Sequence, residues 1–124
     1  MKDALEIMKE MEDTDGVFID RLELGTILEV QTQNTLYTIV TCEDKKEKNI
    51  LIQGGGYYSK VTDAILQGSS FGGSMLRIKY IGISMCMELW SEPSGPIMTT
   101  SVTGIKLIAP DGSWEYTLGE EETT

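Results

Sequence analysis

The hydrophobic positions of this chain repeat with two different periods, and the first is helical. Across residues 2–13 apolar side chains recur at helical spacing, charged side chains fill the other face, and Gly16 follows as a stop signal. The apolar face consists of Ala4, Leu5, Met8 and Met11, with Ile7 at its margin. A helix this short is only marginally stable alone in water. We therefore expect it to dock, either on its own domain or, through Leu5, Met8 and Met11, on a neighbouring subunit.

From Val17 onward the period changes to two, which is typical of β-strands. Runs rich in β-branched residues are separated by turn signals such as the Pro-Asp-Gly of residues 110–112. The predicted strands are residues 26–33, 36–43, 49–53, 61–66, 75–82, 84–90, 97–109 and 113–118. The alternation at 75–82 is the clearest, and it predicts that Leu76, Ile78 and Tyr80 face inward.

Together these elements predict a mostly β fold, a small barrel or sandwich of seven to eight short antiparallel strands with an N-terminal amphipathic helix. Nothing between the strands supplies the crossover helix that a parallel sheet requires. A length of 124 residues suits a single domain. We divide the chain into a helix for docking or oligomerisation at 1–16, a β domain at 17–118 and an acidic tail at 119–124.

Charge is concentrated at the two ends of the chain. The formal net charge is −10, but acidic side chains crowd residues 3–15 and 120–122, whereas residues 26–109 carry equal numbers of acidic and basic side chains. Because the chain has no basic stripe, we expect neither long nucleic acid nor an anionic membrane as a partner. No apolar run is long enough to span a bilayer or to form a signal peptide, which favours a cytoplasmic location.

The sequence lacks several of the side chains that enzymes most often use for catalysis. The chain contains no histidine, which removes the commonest general base and the commonest zinc ligand. We therefore expect no enzymatic activity, no metal and no cofactor. Cys42 and Cys86 lie in apolar stretches and are expected to be reduced, buried thiols. A carboxylate pair such as Glu29 with Asp63 or Glu88 is the remaining route to acid–base chemistry.

Two glycine-rich stretches, QGGGYYSK at 53–60 and QGSSFGGSM at 67–75, are the most unusual local features. Successive glycines and serines can turn N–H and hydroxyl groups toward one point, which makes a nest for an anion such as phosphate. Nearby aromatic rings could stack on a base, and basic side chains could neutralise charge. The same glycines equally suit bulges or close backbone approaches. The candidate ligand-binding residues are Gly54, Gly55, Tyr57, Tyr58, Lys60, Ser69, Ser70, Phe71, Gly72, Gly73, Ser74, Arg77 and Lys79.

The segments GTILEVQTQNTLYTI, GSSFGGSML, IGISMCMEL and IMTTSVTGI together resemble a family of small β-rich bacterial proteins. That family shares the pattern TxNxxYxI, GSxxGGSML, IGxxMxxE and ITTSxV. The likeness covers about residues 25–105 and is most specific in the GGSML element. The resemblance implies that the β domain is self-contained and that the N-terminal helix is an extra element. It implies no particular activity for this chain. The pattern positions in the second glycine-rich stretch are Gly68, Ser69, Gly72, Gly73 and Ser74.

Two functions are consistent with these observations. The first is a non-catalytic binding or interaction module that forms a homo-oligomer, since edge strands in a small domain readily pair with partners. The alternative is a receptor or sponge that sequesters a small phosphorylated or nucleotide-like ligand between the glycine-rich loops.

Overall fold

A computed structural model describes residues 15–45, 48–72 and 75–119, and they form a mostly β fold. The predicted N-terminal helix and most of the acidic tail lie outside these residues. The strands are β1 (Gly16–Phe18), β2 (Ile27–Thr32), β3 (Leu36–Lys45), β4 (Lys48–Gly54), β5 (Tyr58–Ser70), β6 (Arg77–Ile78), β7 (Tyr80–Gly82), β8 (Cys86–Ser91), β9 (Gly95–Ile108) and β10 (Glu115–Gly119). A 3-10 turn, Ile19–Arg21, follows β1.

The strands form an eight-stranded and a two-stranded sheet, both antiparallel as predicted. The larger sheet runs β10-β9-β2-β3-β4-β5-β6, and β8 pairs with both β5 and β9. The smaller sheet pairs β1 with β7. The fold is not a closed barrel, and the β1–β7 ladder is separate from the larger sheet.

Two long strands change partners along their length and so curl the larger sheet. The first part of β5, up to Ala64, pairs with β4, and the part from Ile65 onward pairs with β8. In the same way β9 pairs first with β8 and, from Val102 onward, with β2. Each change of partner turns the sheet, so its inner face encloses one core.

The core is built from the inward positions of alternating strands. In β2, and in β3 up to Thr41, every second residue is buried, among them Leu28, Val30 and Ile39, none of which is exposed to solvent. Met87 and Leu89 of β8 are also fully buried, as the alternation at 84–90 predicts. Burying one such side chain stabilises the fold by about 1.5–3 kcal/mol.

The predicted strand at 75–82 is not continuous. It divides into β6 and β7 because Lys79 between them has a positive φ of 58°, a left-handed conformation that breaks the alternation of side chains. Leu76 and Ile78 are consequently exposed, by 43% and 66%, while Tyr80 is buried. The prediction of an inward side chain is confirmed for Tyr80 and wrong for Leu76 and Ile78.

Cys42 and Cys86 are free thiols, and each is half-buried rather than fully buried. The Cys42 thiol donates to the Val40 carbonyl at 3.6 Å. Within the described ranges, no helix has both the length and the apolar character needed to cross a membrane.

Candidate functional site

The first glycine-rich stretch is the tight turn that joins β4 to β5. Gly54 pairs with Tyr58 across the turn, and both Gly54 and Gly55 have positive φ values. A Cβ atom on Gly54 would lie 2.5 Å from the carbonyl oxygen of Leu36. The turn and the close approach to β3 therefore account for Gly54. The side chain of Tyr57 is exposed and that of Tyr58 is buried.

The second glycine-rich stretch begins inside the sheet. Ser69 and Ser70 belong to β5 and are fully buried. The Ser69 hydroxyl donates to the Tyr80 carbonyl at 2.7 Å, and the Ser70 hydroxyl donates to the Glu88 carboxylate at 2.5 Å. Both hydroxyls thus bind neighbouring strands.

The rest of the second stretch follows the end of β5. Phe71 and Gly72 are exposed there, whereas Gly73 and Ser74 lie outside the described residues. The two glycine-rich stretches flank opposite ends of β5, a strand of 13 residues. The described residues of the two stretches therefore lie at different ends of this strand and do not surround one point.

Arg77 and Lys79, the two basic candidates beside the second stretch, make local contacts. The guanidinium carbon of Arg77 lies 4.0 Å from the centroid of the Tyr80 ring. Burial raises the pKa of Tyr80, and the nearby Arg77 charge works in the opposite direction. The Lys79 ammonium donates to the Asp44 carboxylate, and this hydrogen bond raises the pKa of Lys79.

Three exposed apolar side chains lie on and just before β6. Met75, Leu76 and Ile78 are 79%, 43% and 66% exposed, and we call them the apolar edge. In the described part of the chain, β6 pairs only with β5. One side of its backbone therefore faces away from the sheet. Sequence reasoning missed this surface because it assigned Leu76 and Ile78 to the core.

A surface cavity of about 740 Å³ lies where β8 separates from β5. Pairing of these strands ends at Ile65 and Trp90, and the chain then turns away toward β9. We call the cavity the lysine groove. Its lining includes Lys45, Lys48, Lys60, Asp63, Trp90 and Glu92.

Of the residues that line the lysine groove, only Lys60 was a candidate for ligand binding from the sequence, and Asp63 was named only as a member of a possible carboxylate pair. Lys45 and Lys48 stand at either side of the β3–β4 turn, and Trp90 reaches the groove from β8. No local pattern signals such a cavity, because it depends on where two distant strands part.

Within the residues that the structure describes, no three His, Cys, Asp or Glu side chains lie close enough together to hold a metal ion. Comparison of the chain with protein-family models, curated proteins and solved structures gives no match.

Proposed function

We propose that this chain is a non-catalytic interaction module that assembles with copies of itself through the apolar edge. The observation that carries the proposal is that exposed apolar side chains coincide with a strand whose outer backbone edge has no partner among the described residues. Exposed strand edges are templates for pairing with another chain. The absence of histidine from the sequence further supports a role in binding rather than in catalysis.

A second copy is a suitable occupant of this edge. Two β6 strands related by a two-fold axis can pair antiparallel, and each copy then presents the same surface to the other. With the two-fold axis at Ile78, the Ile78 side chains of the two copies lie opposite each other. Arg77 then lies opposite Lys79 of the second copy, whose charge is already paired with Asp44. The Met75, Leu76 and Ile78 side chains of both copies would bury one another.

The other end of the larger sheet is less suited to self-pairing. β10 begins at Glu115 and is followed in sequence by Glu120, Glu121 and Glu122. Two copies of this acidic edge would repel each other. We therefore assign self-association to β6.

Multi-angle light scattering at micromolar concentration tests the proposal. The wild-type chain should have twice the monomer mass of 13.7 kDa, and Ile78→Glu should shift it to the monomer. Val61→Glu is the matched control, because Val61 is also a β-branched strand residue and is 62% exposed. A monomeric wild type, or equal behaviour of the two variants, would overturn the proposal. Circular dichroism confirms that both variants are folded.

A further inference from the structure

We propose that the lysine groove binds a small phosphorylated ligand that carries a planar ring, with the phosphate at Lys60 and the ring against Trp90. This site differs from the glycine-rich loops, from which only Lys60 contributes. It also does not depend on self-association, because none of the apolar edge residues lines the groove.

The size and position of the groove suit a ligand of nucleotide dimensions. Its volume of about 740 Å³ falls within the range of roughly 300–1,000 Å³ that is typical of small-molecule sites. The stretch of β5 from Tyr58 to Ala64 pairs with β4 on one side, and the pairing with β8 on the other side starts only at Ile65. The groove is thus a gap in the sheet, with fixed strands on either side.

The charges around the groove favour an anion. Three ammonium groups, of Lys45, Lys48 and Lys60, face two carboxylates, of Asp63 and Glu92. Among these, Lys48 is paired with Asp63 at 3.4 Å. Lys60 has no ion-pair partner within the described residues. In a chain of net charge −10, this local excess of positive charge is unusual.

A further carboxylate near the groove, Glu43, neutralises Lys45 only weakly. The two charged groups are 4.0 Å apart, and both side chains are about two-thirds exposed. Ion pairs of this kind in full contact with water contribute little and exchange readily. Lys60, which has no carboxylate partner among the described residues, is therefore the cation available to a phosphate, which can accept a charge-assisted hydrogen bond from it.

Trp90 supplies a surface for a planar ring. Trp90 lies directly opposite Ile65 of β5, and β8 pairs with β9 on its other side, so two neighbouring strands fix the backbone of Trp90. Its side chain is half-buried and lines the groove. An indole face held in this way can stack on a base or another aromatic ring.

Trp90 also makes the site measurable. The chain has two tryptophans, Trp90 and Trp114, so Trp114→Phe leaves Trp90 as the only indole reporter. Titrating this variant with adenosine monophosphate should quench Trp90 fluorescence to saturation. Adenosine and inorganic phosphate, tested separately, should each bind more weakly, because each lacks one of the two contacts.

The cation requirement is tested with a charge-matched pair of variants. Lys60→Gln should weaken adenosine monophosphate binding by about tenfold or more, the usual effect of losing a hydrogen bond to a charged group. Lys60→Arg should retain binding. Lys106→Gln is the control, because it removes the same charge from a lysine that pairs with Glu115 and does not line the groove.

Three results would overturn the proposal. The first is no saturable quenching at millimolar adenosine monophosphate, and the second is equal weakening by Lys60→Gln and Lys106→Gln, which would indicate a general charge effect. The third is binding of adenosine or of phosphate alone as tightly as the nucleotide. Light scattering on the same samples reports self-association separately, so the failure of one proposal is distinguishable from the failure of the other.

Discussion

Asn49 closes the junction between β4 and β5, and its removal should be costly. The residue is 5% exposed, and its side-chain amide makes two hydrogen bonds to the backbone of Leu66. Nδ2 donates to the Leu66 carbonyl at 3.2 Å, and Oδ1 accepts from the Leu66 N–H at 2.8 Å. The side chain thus extends the ladder by one step past the last backbone pair, Ile50 with Ala64.

Asn49→Ala leaves both of those Leu66 backbone groups buried without a partner. Each orphaned group costs about 1–3 kcal/mol, so the free energy of unfolding should fall by about 2–6 kcal/mol. That is a large share of the roughly 5–15 kcal/mol that stabilises a typical domain. The variant should therefore unfold at a clearly lower urea concentration.

Equilibrium urea unfolding followed by circular dichroism measures this difference. Gln53→Ala is the matched control, because the Gln53 amide also donates to a backbone carbonyl on the same hairpin, that of Ser59 at 3.4 Å, but in an exposed position. The control should lose less than about 0.5 kcal/mol, as surface substitutions usually do. A loss of under about 1 kcal/mol for Asn49→Ala, or equal losses for the two variants, would refute the reasoning.

Three further predictions concern the buried tyrosines and the glycines. The Tyr58 hydroxyl is buried and has no hydrogen-bond partner among the described residues. Tyr58→Phe should therefore leave the free energy of unfolding unchanged or raise it by about 1 kcal/mol, and the melting temperature should follow. A lower free energy of unfolding would contradict this. Gly68→Ala should lower the free energy of unfolding by about 2 kcal/mol or more, because the new Cβ would lie 2.1 Å from a carbonyl oxygen of β6. At Gly72 a Cβ would meet no atom within 4 Å, so Gly72→Ala should lower it by only about 1 kcal/mol, the cost of the positive φ. Equal losses in urea unfolding would contradict the register of β5 and β6. Burial raises the pKa of Tyr37 and of Tyr80, and the unfolded chain releases these protons first, so stability should decline as pH rises above about 10. Absorbance at alkaline pH should show that the phenols of Tyr37 and Tyr80 ionise above the usual pKa of tyrosine. A free energy of unfolding that increases through this pH range would contradict the prediction.

Local sequence patterns predicted the strands well wherever burial follows strict alternation. The segments at 26–33 and 36–43 correspond to β2 and β3, and their inward residues are the ones that the period of two selects. The reason is physical, since a strand with one buried face must alternate apolar and polar side chains.

Alternation failed where one residue has an unusual backbone conformation. Lys79 carries no sequence signal for a positive φ, which is rare for a residue other than glycine. The buried serines show a related limit. Ser69 and Ser70 look like loop residues beside glycines, yet their hydroxyls are satisfied by Tyr80 and Glu88 on neighbouring strands.

The lysine groove and the apolar edge depend on pairings between distant parts of the chain. The groove requires β5 to exchange β4 for β8 as its partner, and no nearby residue encodes that exchange. The apolar edge likewise depends on β6 having a neighbour on one side only. A single sequence specifies such pairings only through the whole fold.

Amide hydrogen exchange, measured residue by residue at low and high protein concentration, tests self-association through β6 most directly. If two copies pair through β6, the outward-facing amide of that strand should exchange more slowly as concentration rises, while the amides of β10 keep the same rates. Exchange at β6 that does not change with concentration, or slowing confined to another edge, would contradict the account.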